Sequence, residues 1–232
     1  MSASRVMSTF KHQSKIIIMK RIILTAVLLS LISSCSKETI TGSGNLISEE
    51  RDVAAFTRIS SEGIIDVELT QGDAQFIEIT ADDNIIDRVR TQVVNGELRV
   101  FLEGDSYRDI QINARITATG LSGISNSGTG SITASSLSGS ETFALYNSGT
   151  GNVTISGSAN SLDLVNEGSG DIRAFGFEVS QADLTLIGSG NAEVYCTNAL
   201  TVLIEGSGSV YYKGNPTIET SIEGSGKVLD AN

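Results

Sequence analysis

The sequence has one histidine, two cysteines, one proline and no tryptophan among 232 residues. The histidine is His12, ahead of a short apolar run. If the first thirty or so residues are a leader, the mature chain contains none. Ser-His-Asp and Cys-His nucleophile systems and His-ligated zinc are then excluded. Basic residues are also scarce: 16 Lys and Arg against 27 Asp and Glu give a net charge of −11. A nucleic-acid partner requires a basic face for its phosphates, so no such partner is expected. Long apolar runs are missing as well. The stretch Ile22-Ile23-Leu24-Thr25-Ala26-Val27-Leu28-Leu29 is too short to span a bilayer as a helix.

That stretch reads instead as the core of a secretory signal. Arg5, Lys11, Lys15, Lys20 and Arg21 precede it with no acid among them, and small residues follow. Met19 before Lys20-Arg21 looks like a translation start. The ending Leu31-Ile32-Ser33-Ser34-Cys35 has the form of a lipobox, in which the cysteine is acylated and becomes the first residue. The expected order is a leader over 1–34, a lipid-anchored tether over 35–45, and a folded part after it. The membrane is then a partner through the lipid on Cys35. Residues 35–232 carry 11 basic and 27 acidic side chains, a net −16. Cys196 is their only other cysteine, so no intramolecular disulfide can form. It reads as a small buried hydrophobe.

Glycine is plentiful, with 24 residues and no collagen period. Half of them fall in Gly-Ser/Thr-Gly triplets at 128–130, 149–151, 168–170, 188–190, 206–208 and 224–226, spaced by 21, 19, 20, 18 and 18 residues. The flanks repeat too. Four residues before the first glycine stand Ile124, Leu145, Leu164, Leu184, Val202 and Thr220. Two before it stand Asn126, Asn147, Asn166, Leu186, Ile204 and Ile222. Two after the second glycine stand Ile132, Val153, Ile172, Ala192, Val210 and Val228. Alternation places these columns and both glycines on one face of a strand. The unit is two half-buried strand arms meeting at a corner, where glycine avoids an inward side chain and bends freely. No segment holds a helical period, and Val, Ile and Thr dominate the arms. One coil of a parallel β-helix has this length, and stacked asparagines could bond along its axis. Five intervals at the strand separation give an array of roughly 24 Å.

Residues 46–120 differ. Alternating segments over 53–60, 63–70, 74–81, 89–94, 97–102 and 110–116 predict strands. Asn95-Gly96 predicts a hairpin turn. Residues 82–87 predict a turn with one helical turn. This part is either a cap for the solenoid or its irregular first coils, ahead of the repeat array over 121–232. The fold class is all-β.

Several of these features occur together in one order: the lipobox, Gly42-Ser43-Gly44-Asn45, Glu50-Arg51-Asp52-Val53 with Phe56 and Ile59, and Asp66-Val67-Glu68-Leu69-Thr70-Gln71-Gly72. Ala81-Asp82-Asp83-Asn84, Val94-Asn95-Gly96-Glu97-Leu98 and the triplets follow. The ordered set resembles the head GIN domain family of Bacteroidetes lipoproteins, named for auto-transporter adhesins, over about residues 42–229. The resemblance implies a right-handed parallel β-helix and a place in the cell envelope, at the outer membrane. It implies no catalytic residues.

The candidate site is the outward ladder Thr129, Thr150, Ser169, Ser189, Ser207 and Ser225. Glu167, Glu205 and Glu223 flank it on one side, with Asn152, Asp171 and Asn191 on the other. Such a polar stripe suits a repeating glycan, a protein ligand or a cation beside the stacked Glu side chains. Short polar residues also suit a tight solvent-facing bend. Ile187 interrupts the flank. Asp163, Asp183, Glu178, Glu193 and Arg173 are the side chains a glycan-cleaving β-helix would use, but no spacing singles out a pair. Tyr195, Tyr211 and Tyr212 suggest an aromatic contact patch after the triplets, although parity puts Tyr211 outside and Tyr212 inside. No catalytic residue, metal or cofactor is expected. The expected function is non-enzymatic binding, adhesin-like. The alternatives are a β-helical carbohydrate-active enzyme, or a structural scaffold or self-assembly module.

Overall fold

A computed structural model describes residues 39–104 and 106–232. The expected leader, the Met19 start and the acylated Cys35 lie outside the described residues.

The strands of the N-terminal part are β1 (Ile40–Thr41), β2 (Leu46–Glu50), β3 (Arg58–Ser61), β4 (Asp66–Gln71), β5 (Phe76–Asp82), β6 (Val89–Val94), β7 (Glu97–Leu102), β8 (Tyr107–Arg108) and β9 (Ile112–Ala118). The array contains β10 (Gly123–Asn126), β11 (Ile132–Asn147), β12 (Val153–Asn166), β13 (Ile172–Leu186), β14 (Ala192–Ile204), β15 (Val210–Lys213), β16 (Thr217–Ile222) and β17 (Val228–Asp230). The fold is a β-solenoid of about five turns, built from stacked parallel coils. Each coil has a leading arm after its triplet and a trailing arm before the next one. Leu145, Leu164, Leu184 and Val202 align across neighbouring trailing arms, as Ile132, Val153, Ile172 and Ala192 do across leading arms. All eight are buried. Each Leu, Ile or Val withdrawn from water in this way contributes about 1.5–3 kcal/mol.

The unequal triplet spacing has one location. Registers are unbroken through the corners. They shift only between leading and trailing arm, as at Ala134/Leu137 and Leu137/Ser140, or Ala174/Glu178 and Val179/Gln181. The second bend of each coil therefore absorbs the extra residues. Ser136, Gly139 and Gly157 adopt positive φ there.

Residues 46–120 supply both coils and cap. β3 and β4 form a coil that pairs with β10 and β11. β7 and β9 form the next coil outward, parallel to β3 and β4, although they come later in the chain. Antiparallel strands then close that end: β5 on β9, β2 on β5, and β6 on β7. The β6–β7 turn is Asn95-Gly96, both at positive φ as the hairpin signal requires. A 3-10 turn over Ile86–Arg88 occupies the expected helical turn. The strand expected over 53–60 is shorter. Only Arg58–Ser61 pairs, while Phe56 turns into the core and the Val53 carbonyl accepts from Gln75 Nε2 at 2.9 Å.

The tether expected through residue 45 is folded from Thr39 onward. β1 pairs with β8. Asp82, only 1% exposed, accepts from the Gly44 N–H at 2.7 Å and the Gln111 N–H at 2.9 Å. Asp83 accepts from Ser43 Oγ at 2.6 Å and Asn45 Nδ2 at 2.9 Å. The Ser43 hydroxyl and the Asn45 amide hold the Asp83 carboxyl below its ordinary pKa. A depressed carboxylate pKa contributes stability above the unfolded value, and that contribution is lost as pH falls through the folded value. Acidification below about pH 4 is therefore expected to release this clamp. Amide-exchange protection at Asn45, whose N–H donates to Ser43 Oγ at 3.1 Å, should fall with it, while Asp83→Ala should show weak protection there that is flat across the same pH range.

Candidate functional site

The triplets form one long edge of the solenoid. None of their glycines is at positive φ, so backbone freedom is not what the corner requires. Glycine is required by the neighbouring coil. A Cβ on Gly149 would come within 3.0 Å of the backbone O, N and C of Gly128, and a Cβ on Gly168 would meet the carbonyl of Gly149 in the same way. The carbonyls of Gly128, Gly149, Gly168 and Gly188 each accept twice from the next coil. Gly128 O takes Thr150 N–H at 3.0 Å and Gly151 N–H at 3.3 Å; Gly168 O takes Ser189 N–H at 3.2 Å and Gly190 N–H at 3.3 Å. The array also has a rung that the triplet pattern does not show. Gly63 O accepts from Thr129 N–H at 2.7 Å, and Ser61 aligns with Asn126. The signal in sequence is Ser61-Glu62-Gly63, an Asn-x-Gly corner with serine in place of asparagine.

Just inside the edge runs the amide stack. Asn126, Asn147 and Asn166 are 1%, 0% and 0% exposed. Asn126 Nδ2 donates to Asn147 Oδ1 at 3.1 Å, and Asn147 Nδ2 to Asn166 Oδ1 at 3.0 Å. At the open end Asn166 Nδ2 donates to Gly170 O at 3.0 Å. The buried polar groups are thus matched along the axis.

Outside, two polar columns behave differently. The column after the triplets is committed to the fold. Asn152 Oδ1 accepts from Asp171 N–H at 2.9 Å, Asp171 Oδ1 from Asn191 N–H at 3.0 Å, and Asn191 Oδ1 from Ser209 N–H at 2.9 Å. Each side chain caps the backbone of the next coil. The hydroxyl column is not committed. Thr129, Thr150, Ser169, Ser189, Ser207 and Ser225 are all exposed, and none makes a side-chain hydrogen bond among the described residues. Glu167, Glu205 and Glu223 stand beside them, also exposed. Glu167 accepts from the Tyr146 hydroxyl at 2.6 Å, which pushes the phenol pKa up. Ile187, 43% exposed, breaks the flank.

Tyr146 also marks a recess that the sequence reading missed. On the outer face of the trailing arms Gly123 and Ala144 leave a shallow groove of about 240 Å³, walled by Arg58, Glu97, Tyr146 and Asp163. Two small residues in one outward column beside an aromatic were its only signal.

A matching family model covers residues 55–216 and is described as "Putative auto-transporter adhesin, head GIN domain". The chain belongs to the head GIN domain family. Curated proteins give no match. Among solved structures, this head GIN chain is similar to a "putative adhesin" of Bacteroides fragilis, at 24% identity over 83% of this chain and 100% of that one, with a TM-score of 0.68. A "putative lipid binding protein" of Parabacteroides distasonis matches at 24% identity over 84% and 100%, with a TM-score of 0.52. A "putative adhesin" of Parabacteroides merdae matches at 21% identity over 84% and 100%, with a TM-score of 0.53. At these identities the likeness is one of fold.

The remaining candidates of the head GIN chain fall on separate arms of the coils. Asp163 and Asp183 are neighbours on adjacent trailing arms, whereas Glu193 aligns with Arg173 on the leading arms and Glu178 with Tyr195. The Asp163/Asp183 and Arg173/Glu193 pairs thus lie on different arms of the coils, within one continuous sheet. Among the described residues no three His, Cys, Asp or Glu side chains are grouped to hold a metal. The tyrosines form no row. Tyr211 aligns with Glu193, Tyr212 with Val194, and Tyr195 with Lys213. Parity holds for the pair, since Tyr211 is exposed and Tyr212 packs against the core. Cys196 is fully buried and donates to Ala199 O at 3.0 Å, and burial pushes its thiol pKa up. Its reactivity is correspondingly low.

Proposed function

We propose that this chain is a non-enzymatic, adhesin-like binding protein of the cell envelope, held at the outer membrane by a lipid on Cys35. Its contact surface is the triplet edge. The observation that supports this reading is the contrast between the two outward columns. The Asp/Asn column is used up in capping the next coil, whereas the six hydroxyls make no side-chain hydrogen bond among the described residues. At the strand separation of about 4.8 Å they form a rigid, evenly spaced row of donors and acceptors. Such a row matches a polymer with its own repeat, and a glycan has both the hydroxyls and the repeat. The edge is prepared by folding, so little ordering entropy opposes binding.

The test is a glycan array probed with residues 39–232. Replacing Thr150→Val, Ser169→Ala and Ser189→Ala together is expected to weaken binding about 150-fold, from roughly 1 kcal/mol for each of the three lost bonds. Thermal stability should stay close to the parent, because exposed substitutions cost at most about 0.5 kcal/mol each. Unchanged binding by the triple variant would remove the stripe as the contact surface. Polysaccharide cleavage abolished by a single Asp or Glu substitution would replace the binding reading with an enzymatic one.

A further inference from the structure

The two ends of the solenoid are finished differently. At the N-terminal end β5 and β6 pair antiparallel with the outermost coil, and β2 pairs antiparallel with β5. At the other end the last described coil, β16 with β17, has no strand on its outer side. All six residues of β16 are exposed. The inward column that is buried in every earlier coil ends there on Ile218 at 38% and Ile222 at 44% exposure. One coil back, Leu200 and Ile204 are 1% and 0% exposed. An open strand edge beside an uncovered apolar column is a template for one more strand.

We propose that a second copy of this chain covers that end, with β16 pairing antiparallel to its counterpart across a twofold axis at Thr220. The outer edges at the N-terminal end belong to β2 and β6, neither of which repeats β16, so only a tail-to-tail contact sets two identical uncovered columns against each other. The sequence of β16 fits that operation. Centred on Thr220, Ile218 faces Ile222 of the second copy and Thr220 faces itself. The axis is normal to the sheet, so both interiors lie on the same side and the two apolar columns join. On the outer face Glu219 then lies opposite Ser221 of the second copy. Registers centred one residue away bring Glu219 against Glu219 or Glu223 of the second copy, and like charges directly opposite are unfavourable. The interface is isologous and closed, which limits assembly to a dimer. It uses none of the hydroxyls that precede Ser225 in the ladder, so it stands or falls separately from the glycan reading.

Residues 39–232 form a compact unit that contains its whole core, which makes them the sample for the test. Sedimentation across micromolar to submillimolar concentration is expected to show a monomer–dimer equilibrium with nothing larger. Ile218→Lys with Ile222→Lys changes only exposed side chains. It should reduce dimer at least tenfold while the circular dichroism spectrum stays that of the parent. Thr220→Cys places two thiols across the axis within disulfide reach, about 4.5–5.5 Å between Cα atoms. Oxidation should link it as a covalent dimer, while Thr217→Cys, on the same strand but off the axis, should not link. A parent that stays monomeric throughout, a dimer indifferent to the two lysines, or growth into larger species would each overturn the proposal.

Discussion

Gly149→Ala is expected to destabilise the protein by about 3 kcal/mol, the upper part of the usual overpacking range. The added methyl would sit within 3.0 Å of three backbone atoms of Gly128. Backbone cannot rotate away as a side chain can, so the coils must part at the corner. Parting them strains the bonds from Thr150 N–H and Gly151 N–H to Gly128 O. For a chain of this size the cost corresponds to a fall of about 6–12 °C in Tm. Gly120→Ala is the control, because a Cβ there meets nothing within 4 Å and its φ is not positive. That variant should unfold within about 0.5 kcal/mol of the parent. Thermal unfolding of the two variants side by side separates close coil stacking from a general cost of adding methyls. Equal Tm values would mean that the corners are looser than the geometry shows.

The same stacking explains what could be read from the sequence. Alternation is a local property, and in a solenoid the inward face of every coil meets the same kind of neighbour. The columns from Ile124 to Val228 therefore announced both the arms and their parity. The corner glycines were legible by position, but for an incomplete reason. The methyl is excluded by the adjacent coil, and the bend itself uses ordinary φ. The rung at Ser61-Glu62-Gly63 was hidden because Ile65 stands where the later corners have a second glycine. Ile65 is accommodated because the coil outside it is different. β7 and β9 are joined by residues 103–111, nine residues, where β10 and β11 are joined by five. The order of the first coils was also hidden. β7 and β9 alternate just as β3 and β4 do, and alternation does not say which coil lies outside which. Only the pairing of β3 with both β7 and β10 decides it. On the candidate site, the pattern could not separate a committed column from an uncommitted one. Ser, Asn and Asp read alike as corner residues, and the difference lies in whether a side chain reaches the next coil's N–H.

The second large effect is expected at Asn147→Asp, and it should depend on pH. The Asn147 side chain is fully buried between two other amides, accepting from Asn126 and donating to Asn166. In the variant a carboxylate oxygen would replace the amide nitrogen that stands 3.0 Å from Asn166 Oδ1. Ionised, it sets acceptor against acceptor and leaves a charge without a counter-ion in the core. Breaking a buried polar arrangement in this way costs about 3–5 kcal/mol. Protonated, its O–H can donate to Asn166 and restore the stack. The folded state therefore favours the protonated form, and the folded pKa rises above the unfolded value of about 3.9. For a raised carboxyl pKa the folded chain binds more protons than the unfolded one between the two values. Stability relative to the parent is then nearly retained below about pH 4 and lost as pH rises, at about 1.4 kcal/mol per unit until the folded pKa is passed. Asn147→Leu makes the comparison, since Leu186 already occupies the equivalent position one coil beyond Asn166. It loses both amide bonds but carries no charge, so its cost of about 1–3 kcal/mol should not vary with pH. Thermal unfolding of the parent and the two variants from about pH 4 to about pH 8 reads this directly. Stability curves for Asn147→Asp and Asn147→Leu that stay parallel across that range would show that the amide column is reached by water.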